Sequence, residues 1–167
     1  MECTESESII GDMHFAAKHF GNKKKKKILA LHGWLDNAAS FDFLAPLLAD
    51  YHWVCLDLAG QGKSDHRPHF GTYNIWQDVT EVFAVADALG WERFSLVGHS
   101  RGAVIAGLAC GTFPERIEHL ALIEGVATFI SREREAPELL ASAYLSLKTQ
   151  AARHQSVHPS LAAAIAV

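Results

Sequence analysis

No stretch of this chain reaches the ~18 consecutive apolar residues of a membrane-spanning helix. Its N-terminus, Met1-Glu2-Cys3-Thr4-Glu5, is acidic where a secretory leader would be basic and then apolar. Cysteine is scarce as well: Cys3, Cys55 and Cys110 are odd in number and scattered, which excludes a disulfide framework and reads as reduced core thiols in a reducing compartment. A cytoplasmic setting is the expectation. The Cys and His positions show no metal-ligand spacing, and no dinucleotide fingerprint is present, so neither metal nor cofactor is expected. Gly60-x-Gly62 lacks both the third glycine of that fingerprint and the Gly-Lys-Ser/Thr of a P-loop, and reads as a structural turn. There is no excess of positive charge: the formal net charge is −4, which gives no reason to expect nucleic acid or an anionic membrane as the main partner. The run Lys23 to Lys27 lacks interleaved aromatics and is read as a solvated loop at the mouth of a strand.

The chain does hold 167 residues with an apolar fraction of 49%, enough for one sizeable core. At its centre lies Phe94-Ser95-Leu96-Val97-Gly98-His99-Ser100-Arg101-Gly102, a short apolar run ending in G-x-S-x-G and followed by the helix-like stretch Ala103 to Thr112. Strand, sharp turn and helix are the setting of a nucleophile elbow. Gly98 and Gly102 supply the missing Cβ atoms that the turn requires, Ser100 is held in strain at its tip, and the free N–H groups of the next helix face any oxyanion that forms beside it. His99, one residue from Ser100, points to the other side of the strand end and is read as a structural histidine.

In order along the chain, residues 1–12 read as loose and Met13 to Phe20 as an edge strand closing at Gly21-Asn22. Ile28 to Leu31 is an apolar run of the kind buried on both faces of a parallel sheet, followed by His32-Gly33-Trp34-Leu35-Asp36-Asn37. Ser40 is placed to cap a segment in which Phe41, Leu44, Leu47 and Leu48 recur at helical spacing. Tyr51 to Leu58 is strand-like. Asp78 opens an amphipathic helix, with Val79, Val82, Phe83, Ala86 and Leu89 on one face, that stops at Gly90. After the elbow, Ile117 to Ile123 makes one more buried strand, and beyond Thr128 the character changes: Arg132 to Glu135 precede Leu139, Leu140, Tyr144, Leu145 and Leu147 in helical register. Strands alternating with helices imply an α/β fold with a mostly parallel sheet. The expected division is 13–127 for the core and 128–167 for a further helical segment, which stops in mid-pattern at Leu161 to Val167.

With His32-Gly33-Trp34, the Asp57 to Asp65 stretch and Gly98-His99-Ser100-Arg101-Gly102 in this order, the chain resembles the α/β-hydrolase superfamily. Within it, the chain looks most like the serine hydrolase-like and lid-bearing esterase branch, over about Phe15 to Gly125. The resemblance implies a Ser100 nucleophile, oxyanion N–H donors on Trp34 and Arg101, and a segment from 128 that begins a lid. It implies a small-molecule ester or acyl substrate. The pattern departs from the family after Ser100, where one strand is found and the fold would need two more, bearing the acid and the base. His119 falls inside a strand run and His154 and His158 in the helical tail; Glu124, at the end of the last strand, is the sole candidate acid. Two readings stay open: a serine hydrolase seen as its N-terminal portion, without acid and base and hence inactive alone, or a non-catalytic protein with the same fold remnant. On either, Ile117 to Ile123 is expected to leave an unpaired sheet edge through which copies self-associate.

Overall fold

In the computed structural model, residues 3–68, 73–125 and 136–151 are described. The chain divides into two compact units, Met1–Thr128 and Phe129–Val167. The first is a six-stranded sheet of β1 (Cys3–Ile10), β2 (Met13–Phe20), β3 (Lys26–Leu31), β4 (Tyr51–Leu56), β5 (Phe94–His99) and β6 (Ile117–Ile123), with helices α1 (Ile75–Ala88) and α2 (Arg101–Thr112). Strand order is β1-β2-β4-β3-β5-β6. β4, β3, β5 and β6 are mutually parallel, while β2 pairs antiparallel to β4 and β1 antiparallel to β2. In the second unit, α3 (Ala136–Ala151) carries Leu139, Leu140, Tyr144 and Leu145 exposed. Arg132 to Glu135, His154, His158 and Leu161 to Val167 lie outside the described residues.

The central strands are apolar throughout because both faces are covered. Leu29 and Leu31 of β3 face one layer with Val82, Phe83 and Ala86 of α1 and Ile105 and Ala106 of α2. Ile28 and Ala30, one residue out of phase, face a second cluster with Phe41, Ala45 and Trp53. This places the C-terminal ends of β3 and β5 side by side, with Leu31 opposite Gly98, and sets the loops that follow them at one end of the sheet.

Five expectations are corrected. Residues 3–10 are not loose: they form β1 and pair along their whole length with β2, through a hairpin whose Gly11 takes φ +60°. Consequently β2 is an inner strand and not an edge. The 41–48 segment is two short 3₁₀ turns, Ala38–Phe41 and Ala45–Leu47, with Asn37 and not Ser40 capping the first. Helix α1 starts at Ile75, capped by Asn74, whose side chain accepts from the Gln77 N–H at 2.9 Å; Asp78 lies in its first turn, buried. The three cysteines are free, but Cys3 is exposed on β1 and does not belong to the core.

Candidate functional site

Ser100 stands between β5 and α2 with φ 51° and ψ −114°, a conformation that costs a residue with a Cβ about 1–3 kcal/mol. Surrounding backbone enforces it. The Ser100 N–H donates to the Ile123 carbonyl of β6 at 2.8 Å, and the Ser100 carbonyl accepts from Ala103 at 3.0 Å. A Cβ on Gly98 would lie 2.3 Å from the Gly102 carbonyl oxygen, and one on Gly102 would lie 2.2 Å from that of Leu31. Both glycines are therefore required by close backbone approach at φ values other residues also adopt. Gly125 meets the Ser100 carbonyl in the same manner, at 2.8 Å from an added Cβ. Arg101 and Gly102 open α2, so their N–H groups lack the i−4 partner within the helix that later helical residues have.

The loop after β3 lies against this turn. A Cβ on Gly33 would sit 3.5 Å from Ser100 Cβ and 3.2 Å from His99 Nδ1. His32, fully buried, braces the loop: its Nε2 accepts from the Leu58 N–H at 3.0 Å, so Nδ1 carries the proton and donates to the Gly33 carbonyl at 2.8 Å. Burial holds its pKa below the ordinary imidazole value. Buried Asp57, at the end of β4, accepts from the Ala38 N–H at 2.6 Å and the Lys63 N–H at 2.8 Å, tying the loop after β3 to the loop after β4. Gly62 at φ +57° lies against this carboxylate, where any Cβ would come within 2.2 Å of Asp57 Cγ. The Gly60-x-Gly62 turn thus wraps a carboxylate of the protein itself.

Trp34 is 59% exposed, and the Arg101 guanidinium stacks over its ring at 5.3 Å. Behind it, Arg101 Nη2 donates to Asp78, which also accepts from Arg67 at 2.8 Å, and Arg67 donates in turn to both Glu81 oxygens at 3.0 and 2.7 Å. Asp78, Glu81 and Arg67 are all buried. Burial raises the Glu81 pKa, with Arg67 pulling against it. This four-membered ion cluster joins α1, the loop after β4 and the elbow helix, and sequence reasoning missed it. Its signal was two carboxylates three residues apart among the apolar positions of α1.

His99 is not packed into the core. It is partly exposed, lies 3.8 Å through Nε2 from the Glu124 carboxylate, and lines a groove of about 560 Å³ with Asp36, Ser40, Leu44 and Ile123. Glu124 follows β6 at φ +52° with an exposed side chain. His119 sits near the opposite end of the sheet, its Nδ1 3.4 Å from Ser95 Oγ. Ser100 lies five positions beyond Ser95, about 16 Å at the rise of an extended strand, so His119 is out of reach as a base. A second cavity of about 530 Å³ lies behind residues 37–39, but its cations are satisfied internally, Lys18 by Asp42 and Lys63 by Glu5. Among the described residues no group of three His, Cys, Asp or Glu is placed to hold a metal, and no helix is long and apolar enough to cross a membrane.

A strand, a strained serine and a helix, flanked by the loop after a parallel neighbouring strand, define the class of α/β hydrolases. The chain belongs to the alpha/beta hydrolase fold family, whose profile matches residues 26–158. It is 42% identical over 128 residues to the serine hydrolase-like protein of Homo sapiens, covering 76% of this chain and 63% of that one. It is 39% identical over 110 residues to a probable serine hydrolase of Drosophila melanogaster, covering 65% and 33%. The crystal structure of a hypothetical protein from Pseudomonas aeruginosa PAO1 superposes with a TM-score of 0.91 at 42% identity, over 97% of this chain and 57% of that one. The chain thus spans between a third and two thirds of the length of these relatives.

Proposed function

We propose that this chain carries the nucleophile and the oxyanion donors of a serine hydrolase acting on carboxylic esters or related acyl substrates. The observation that carries the reading is the strained Ser100 on a turn that three close-packed glycines and a β6 carbonyl hold in place. In the reaction, Ser100 Oγ forms a bond to the acyl carbon as its proton passes to a base. The carbonyl π electrons move onto oxygen, where the N–H groups of Trp34 and Arg101 receive the charge; collapse of this intermediate expels the alcohol, protonated by the base, and leaves an acyl-serine that water cleaves. His32 and Asp57 hold the Trp34 loop, and the ion cluster holds Arg101.

Among the described residues no histidine stands in for the base. That observation favours a second reading, in which the chain by itself is a non-catalytic member of the family, and it sets the expected rate: without a general base, a serine hydrolase of this logic loses on the order of 10⁶ in kcat. The test is hydrolysis of p-nitrophenyl butyrate beside Ser100→Ala, with a fluorophosphonate probe reporting the nucleophile. Slow labelling confined to Ser100 with turnover near background fits the proposal. Labelling that survives Ser100→Ala refutes the nucleophile assignment, and robust Ser100-dependent turnover refutes the missing base.

A further inference from the structure

The net charge of −4 conceals a segregation. Lys24 to Lys27 and Arg93 line an open groove of about 440 Å³ with Glu92 and Glu118, where β3, β5 and β6 begin. With Lys23 in the same run and Asp50 beside Lys25, six basic side chains face three carboxylates there, a surplus of three positive charges in a net acidic chain. Lys23 to Lys26 and Arg93 are exposed. Lys25 is partly engaged, donating to the Ala49 carbonyl at 2.7 Å and lying 3.6 Å from Asp50, and Lys27 lies over the Trp91 ring at 5.8 Å. Lys23, Lys24, Lys26 and Arg93 make no ion pair among the described residues. The field of the run is felt nearby: the His52 pKa is lowered by burial and then by Lys23 and Lys27.

We propose that the Lys23–Lys27 run and Arg93 form a docking face for an anionic lipid surface. A cluster of exposed lysines is a set of flexible point charges, suited to the diffuse potential of a leaflet more than to bidentate recognition of a single phosphate. The groove has no exposed aromatic ring on which bases would stack, which disfavours single-stranded nucleic acid. The orientation is fixed by β3, whose first residue is Lys26 and whose last, Leu31, directly precedes His32-Gly33-Trp34. The face therefore lies about 17 Å, one strand length, from the elbow, so a docked molecule keeps Ser100 turned toward water. This proposal stands apart from the hydrolase reading.

The experiment is co-sedimentation of the full chain with phosphatidylcholine vesicles, with and without phosphatidylserine. Each basic residue near such a leaflet contributes about fivefold, so a surplus of three predicts partitioning that rises by about 100-fold with phosphatidylserine and falls to background at ~1 M salt. Lys24→Glu with Lys26→Glu, both at exposed positions, abolishes the difference, and Arg93→Glu, on a separate segment, weakens it; circular dichroism checks that both variants keep the fold. Equal binding to both vesicle types, indifference to these charge reversals, or tighter binding to an RNA oligomer at equal phosphate concentration overturns the proposal.

Discussion

Asp78 accepts from both Arg67 and Arg101 while buried to 1% exposure, so Asp78→Asn is the sharpest perturbation of the link between α1 and the elbow. Asparagine keeps the shape, yet it offers one acceptor oxygen for two guanidinium groups and turns its NH₂ toward the other. Arg101 then loses its carboxylate partner, and Arg67 keeps only Glu81, whose own charge burial already disfavours. Leaving buried charge uncompensated costs about 3–5 kcal/mol. For a unit the size of Met1–Thr128 that corresponds to a fall in Tm of roughly 10–20 °C. Urea unfolding followed by tryptophan fluorescence measures it. Arg101→Met separates the contributions, because it removes the elbow's member of the cluster while leaving Arg67 between its two carboxylates. A double-mutant cycle between the two changes should give a coupling of about 1 kcal/mol or more. A loss below ~1 kcal/mol for Asp78→Asn, or a coupling near zero, would refute the cluster as the tie between these elements.

Other outcomes follow from single residues. Burial and the neighbouring His52 lower the His19 pKa to about 4, so the native state resists a proton that the unfolded chain takes up below its ordinary 6.5. Stability present above pH 6.5 is thus lost as pH falls toward about 4, by about 3 kcal/mol, and His19→Gln flattens that part of a urea-midpoint profile against pH. Gly102→Ala places a Cβ 2.2 Å from the Leu31 carbonyl and is expected to abolish soluble expression, whereas Gly107→Ala, which meets nothing within 4 Å, is expected to express normally. Leu120, 37% exposed on β6 at the margin of the sheet, is expected to contribute to self-association; Leu120→Lys should raise the monomer fraction in size exclusion, and an unchanged elution profile would dismiss that edge as the interface.

Much of the parallel sheet could be read from the residues because β3, β4, β5 and their turns obey one rule, apolar runs closed by glycine or a polar turn. β1 escaped for the opposite reason. Cys-Thr-Glu-Ser-Glu-Ser-Ile-Ile carries little apolar pattern, and its place is set by backbone pairing with β2, which no side-chain period announces. The spacing of Phe41, Leu44 and Leu48 was helical, but the chain there spends it on two 3₁₀ turns around Pro46, with Phe41 buried and Leu47 left outside. At the candidate site, the glycines and the serine were legible because a sharp turn permits few residue types. Arg67, Asp78 and Glu81 were not, since a buried ion cluster is made by tertiary approach of a loop to a helix, and each residue alone reads as a charge facing water. His99 shows the limit of strand alternation: it points away from the core and lines the groove beside Glu124.

The most direct test of the central claim is a crystal structure of the chain after prolonged reaction with an excess of a fluorophosphonate. One adduct is expected, on Ser100 Oγ, with the phosphonyl oxygen held by the N–H groups of Trp34 and Arg101 at about 2.7–3.1 Å each. An adduct on another residue, or a Ser100 adduct whose oxygen points away from both donors, would contradict it.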